Sequence, residues 1–89
     1  MYAKNTTILN PTGLHARPAA EFVKEAKKYE SSITIKKVSG GDAVNAKSAI
    51  RLLGVGMSKG TVVEIAADGA DETAAADALV SLIDSGFGE

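Results

Sequence analysis

Eighty-nine residues suffice for one small domain with a modest core. The chain has no cysteine, which excludes disulfides and thiolate chemistry, and one histidine without cysteine argues against a transition-metal site, so no metal or cofactor is expected. A net charge of −1 and only two Tyr and two Phe as aromatics argue against nucleic-acid binding.

The charge is unevenly spread. Ten basic and four acidic residues give positions 1–60 a charge of +6, whereas positions 61–89 hold seven acids and no Lys or Arg. Such asymmetry orients encounters with a charged partner. Met1 to Thr7 is polar and lacks an apolar signal core, and no apolar run approaches the roughly 20 residues of a membrane span. A cytoplasmic location without membrane insertion is the expectation.

Tyr2 to Leu9 reads as a first strand, closed by the turn Asn10-Pro11-Thr12-Gly13. A helix is predicted from Ala16 to about Tyr29. Ala19, Phe22, Val23 and Ala26 recur at the spacing of a buried stripe. Arg17, Ala20, Lys24 and Lys27 fall on another face, which carries basic charge along the helix. Ser32 to Val38 alternates as a strand, Gly40-Gly41-Asp42 turns, and Ala43 to Asn45 returns as a short strand. A short helix is predicted over Ser48 to Leu53, with Ser48 as N-cap and Gly54 as stop. Its crowded apolar residues, Ile50 and Leu53 among them, exceed what one short helix can bury. Thr61 to Ala66 is a further strand. Asp71 then caps a last helix with inner stripe Ala76, Leu79, Val80 and Ile83, ended by Gly86. The order β-α-β-β-α-β-α points to an α+β fold: an antiparallel sheet with helices on one face.

The lone histidine stands where helix-start signals converge, in Gly13-Leu14-His15-Ala16-Arg17-Pro18-Ala19-Ala20. Pro18 fits only the first turn of a helix, Ala16, Ala19 and Ala20 favour helix, and Gly13 permits a sharp turn. His15 therefore falls at or just before the N-cap, where free N–H groups and the positive end of the helix dipole hold anions. With Arg17 two residues on, a nucleophilic imidazole there is a candidate phosphohistidine.

That octapeptide resembles the active-site signature of HPr, the histidine-containing phosphocarrier family of the bacterial phosphoenolpyruvate:sugar phosphotransferase system. Phe22-Val23-Lys24-Glu25-Ala26-Lys27 resembles the family's first helix, and Asn45-Ala46-Lys47-Ser48 the segment around its regulatory serine. Gly60 to Ile65, followed by Asp68 to Glu72, resembles its last strand and the start of its last helix. The resemblance covers essentially the whole chain as a single domain, residues 1–89. It implies an open-faced β-sandwich of four antiparallel strands with three helices on one face.

The resemblance further implies that His15 accepts a phosphoryl group from phosphorylated enzyme I and passes it to the IIA components of sugar permeases. Backbone N–H groups of Ala16 and Arg17 and the Arg17 guanidinium would stabilise the phosphate, while Gly13 and Pro18 set the turn. Lys24, Lys27, Arg51, Ile50 and Leu53 would dock partners. Ser48 would be a regulatory phosphorylation site for a kinase/phosphorylase, with a catabolite-control repressor as a further partner. A monomer is expected. The loop Val38 to Asp42 is about two residues longer than is usual in the family, and Ala49 replaces a larger apolar residue, which weakens apolar docking to a kinase or repressor. The alternatives are a paralogue serving a nitrogen-related relay and a small acylphosphatase-like hydrolase.

Overall fold

The computed structural model describes residues 1–88. Its strands are β1 (Tyr2–Thr7), β2 (Ser32–Lys37), β3 (Val44–Asn45) and β4 (Val62–Asp68). Its helices are α1 (Ala16–Ala26), α2 (Ala49–Val55) and α3 (Glu72–Asp84). The strands form one sheet in the order β1-β4-β2-β3, every neighbouring pair antiparallel. This is the open-faced sandwich with the predicted order of elements.

Alternation decides which face of the sheet is covered. Ile33 and Ile35 on β2 and Val63, Ile65 and Ala67 on β4 are buried. The residues between them, such as Thr34, Lys36, Glu64 and Ala66, stay part-exposed on the open face. Phe22, Ala19 and Ala26 from α1, Leu52 from α2, and Ala76, Leu79 and Ile83 from α3 complete one core with Ile8, Leu14 and Met57. Full burial of one such large apolar side chain contributes about 1.5–3 kcal/mol. No helix of the described residues is long and apolar enough to cross a membrane.

The strands β2, β3 and β4 differ from the sequence reading by one or two residues at their ends, and three further boundaries differ as follows. Helix α1 stops at Ala26 rather than near Tyr29. Lys28 N–H bonds to Glu25 O at 3.1 Å and Tyr29 N–H to Ala26 O at 3.3 Å, so the chain tightens into i→i−3 turns. No glycine or proline forces that stop. Instead, the next residues are drawn to Asp71, whose carboxylate accepts Glu30 N–H at 2.9 Å, Ser31 N–H at 3.0 Å and the Ser31 hydroxyl. Helix α2 runs through Gly54 and ends at Gly56, whose left-handed φ of 69° makes it the C-cap. Strand β1 ends at Thr7, although Ile8 N–H still reaches Thr61 O at 2.9 Å.

Asp71 does occupy the N-cap position of α3, but its side chain makes no cap bond. Its carboxylate is spent on the α1–β2 turn, and Glu72 instead accepts the Gly69 N–H at 3.2 Å. The Ser31 hydroxyl, followed by the Glu30 N–H, holds the Asp71 carboxyl below its ordinary value of 3.8. A depressed carboxylate contributes stability above its unfolded value and loses it as pH falls through the folded one. Asp71→Asn should therefore lower Tm near neutrality, and the gap from wild type should close as pH falls below that ordinary value. Thermal unfolding followed by circular dichroism across pH checks this; a gap independent of pH would assign Asp71 no titrating role.

Candidate functional site: the histidine at the start of the first helix

The site is built from two loops that meet. The first runs from β1 into α1. Gly13 N–H closes the Asn10-Pro11-Thr12-Gly13 turn onto Asn10 O at 3.1 Å. Gly13 then takes a φ of 67°, and Leu14 N–H bonds to Met57 O at 2.8 Å. The second loop, around Met57, follows the C-cap of α2. A Cβ at Gly13 would fall 2.8 Å from Ser58 Cα and closer still to the Met57 carbonyl oxygen. Glycine is thus required twice, for the left-handed backbone and for the close approach.

His15 is the N-cap of α1, with extended backbone (φ −126°, ψ 159°). Its side chain caps nothing and is exposed. Ala16, the first helical residue, has a φ of 47°, a left-handed conformation that costs a non-glycine residue about 1–3 kcal/mol and gathers at functional sites. The first intrahelical bond, Ala19 N–H to His15 O, is long at 3.5 Å. Ala16 and Arg17 at the head of the helix have no intrahelical acceptor for their N–H groups, and Pro18 has none to offer. Two donors and a dipole end therefore lie beside the imidazole. Pro18 is buried in the first turn and fixes its path.

Arg17 is exposed, its Nε 3.9 Å from Glu21 Oε1. An exposed i,i+4 pair of this kind is worth only about 0.3–0.5 kcal/mol. The pair therefore constrains the guanidinium only weakly.

Helices α1 and α2 run antiparallel. Leu14, just before α1, meets Met57 just after α2. At the other end Lys47, just before α2, donates from Nζ to Tyr29 O at 2.7 Å, beyond the end of α1. Ser48 caps α2, its hydroxyl accepting Arg51 N–H at 3.4 Å. Ser48 and His15 thus lie toward opposite ends of the helix pair, α1 itself being about 16 Å long at 1.5 Å per residue. Lys24, Lys27 and Arg51 are exposed. Ile50 is 85% and Leu53 44% exposed, whereas Leu52 is buried, so α2 presents an apolar strip outward.

The local sequence from Gly13 to Pro18 was readable as a helix start; the brace beneath it was not. Asn10, Met57 and Lys47 hold the two helices in place through contacts with main-chain groups. Of these, only Asn10 carried a signal, the Asn-Pro turn. The Arg17–Glu21 pair was missed, although its i,i+4 spacing is a signal for it.

Against this geometry, the family model described as "PTS HPr component phosphorylation site" matches residues 2–85. This chain belongs to the HPr family. It is 48% identical over 83 residues to the phosphocarrier protein HPr of Haemophilus influenzae, covering 93% of this chain and 95% of that one. Its fold superposes on the crystal structure of HPr-C-His from Thermoanaerobacter tengcongensis with a TM-score of 0.94 at 48% identity, over 100% of this chain and 98% of that one. An HPr dimer solved from the same organism gives 0.78 at 50% identity, over 94% of each chain. The function is that of a phosphocarrier in the phosphotransferase system. The relatives favour neither a nitrogen-related relay nor a hydrolase.

Gly13→Ala should cost at least about 2 kcal/mol, from left-handed strain plus the forced retreat of the Met57 loop. Chemical denaturation measures it. A midpoint equal to wild type would mean that the two loops are not held in contact.

Proposed function

We propose that His15 is the phosphoryl acceptor of this carrier, with phosphorylated enzyme I as donor and IIA components of sugar permeases as recipients. The observation that carries the reading is the exposed imidazole at the N-cap of α1, beside two open N–H groups and Arg17. The neutral ring attacks through Nδ1, the atom the family uses. A P–N bond forms as the donor's bond to phosphorus breaks. Phosphoryl transfer asks for positioning and charge neutralisation rather than covalent help. The Ala16 and Arg17 N–H groups receive the phosphate oxygens, and Arg17 adds its charge after leaving Glu21. An open site suits a carrier, because the group must leave as readily as it arrives.

The chain acts as a carrier rather than an enzyme, being charged and discharged in each cycle. It works in the cytoplasm as a monomer of one domain. Lys24, Lys27 and Arg51 supply a basic surface, with Ile50 and Leu53 as its apolar part, for acidic partners. Incubation with phosphoenolpyruvate and enzyme I, followed by intact-mass measurement, should add one acid-labile phosphoryl group, absent in His15→Ala. A modified His15→Ala would move the site elsewhere. In the same assay Arg17→Ala should slow transfer roughly tenfold to a hundredfold, the worth of one lost charged hydrogen bond; unchanged kinetics would remove Arg17 from the mechanism.

Ser48 is the proposed regulatory site, open to a kinase/phosphorylase and read by a catabolite-control repressor. A phosphate there adds about −1.5 to −2 charge to a helix start that tolerates anions. With the two sites toward opposite ends of the helix pair and a Debye length of about 8–10 Å, the new charge acts on a docked partner rather than on His15. Ser48→Asp should accept phosphate from enzyme I more slowly than Ser48→Ala, with the gap shrinking as salt rises. Equal rates at low salt would leave Ser48 a helix cap only.

A further inference from the structure

Asn10 is 1% exposed, a buried polar residue on a loop of exposed neighbours at Leu9 and Pro11. Its side-chain amide donates to Gly13 O at 2.8 Å and to Thr12 Oγ1 at 3.2 Å. Its own carbonyl accepts Gly13 N–H at 3.1 Å. One residue therefore binds both polar groups of Gly13. On the far side of Gly13, Leu14 N–H is fixed to Met57 O, so the Gly13–Leu14 peptide is gripped at its carbonyl by Asn10 and at its N–H by Met57.

His15 follows directly, and its side chain has no cap bond to aim it. The place of the imidazole is inherited from the backbone that carries it. That backbone passes through left-handed φ values at Gly13 and Ala16, with extended His15 between them. Such a path persists only where the surroundings over-determine it. The Gly13–Leu14 peptide, one residue ahead of the peptide that enters His15, is held on both sides, and Asn10 supplies half of that hold.

We propose that Asn10 is a positioning residue for phosphoryl transfer: its buried amide fixes the Gly13–Leu14 peptide and thereby the place of the His15 ring. The proposal rests on the reading of His15 as the acceptor. Releasing the Gly13 carbonyl frees the peptide to rotate about its flanking bonds, which displaces the His15 Cα and its ring relative to the Ala16 and Arg17 N–H groups. Small misplacements of a reacting group cost large factors in rate.

Two variants test it. Asn10→Ala removes the donor. Asn10→Asp keeps the size and sets a carboxylate against the Gly13 carbonyl in place of the NH2 group. Phosphorylation by enzyme I, charged with phosphoenolpyruvate, is followed over a range of carrier concentration for wild type and each folded variant. The rate at saturation should fall roughly tenfold, the effect of one positioning hydrogen bond, while KM for the carrier stays close to wild type. The His15 ring cross-peaks in a 1H–15N spectrum should shift, and amide exchange at Leu14 should quicken. A purely structural role would lower Tm and leave saturated rate and ring signals unmoved; that result overturns the proposal, and either variant that folds can give it. If wild type takes no phosphoryl group on His15, the acceptor reading fails instead, which the wild-type control separates from a failure of the Asn10 role.

Discussion

One close approach organises the functional end of this molecule: the Gly13–Leu14 backbone pressed against Met57 and Ser58. It joins the loop before α1 to the loop after α2, with Leu14 N–H on Met57 O and no room for a Cβ at Gly13. Leu14 and Met57 are both fully buried, so the contact is anchored in the core beneath it. Because Met57 follows α2 while Lys47 precedes it and reaches Tyr29 O, the two helices are tied at both ends. Arg17, Lys24, Lys27, Ile50, Arg51 and Leu53 are thus exposed on two short helices whose mutual placement is fixed. Neither helix is long enough to hold its place without tertiary packing.

The uneven charge of the chain acquires a division of labour in the fold. The acids of β4 and α3 are used inside the molecule. Asp77 takes the Tyr2 hydroxyl at 2.9 Å and Lys4 at 3.4 Å, Asp84 takes the Thr6 hydroxyl, and Glu72 lies 3.3 Å from the N-terminal amine. Edge strand β1 is thus secured to α3 by polar contacts as well as to β4 by its ladder. Asp71 secures the α1–β2 turn in the same manner. Among the described residues, Lys24, Lys27 and Arg51 stand outside the ion pairs that involve Glu25, Glu64 and Asp77. The acids of β4 and α3 are thus engaged within the fold, while Lys24, Lys27 and Arg51 are exposed.

What was legible in the sequence follows the range of the interaction. Patterns of two and 3.6 residues disclosed the strands, the buried stripes of α1 and α3, and the helix start at His15, because period and first-turn chemistry are local. The end of α1 was misplaced because Glu30 and Ser31 are drawn to Asp71, some forty positions away, against a local preference to continue the helix. Gly54 reads as a stop, but a glycine within a helix costs only about 1 kcal/mol, and the left-handed cap falls on Gly56 instead. Asp71 was placed correctly as the residue before α3, yet its carboxylate serves a distant turn. The residues around His15 were readable; the supports at Asn10, Met57 and Lys47 act on backbone atoms, which leave little pattern in sequence.

A phosphocarrier must hold its charged group firmly enough to keep it from water and loosely enough to surrender it. The site meets both demands by placing rigidity and affinity in different parts. Rigidity lies in the main chain, where a buried asparagine, a glycine without alternatives and a left-handed alanine fix the path on both sides of His15. The groups proposed to receive the phosphate are open to solvent: two helix-end N–H groups and an arginine whose resting partner, Glu21, is 3.9 Å away. Solvent screening keeps each of those contacts weak. On the proposed reading of His15, the phosphoryl group would therefore meet a preorganised position with shallow binding.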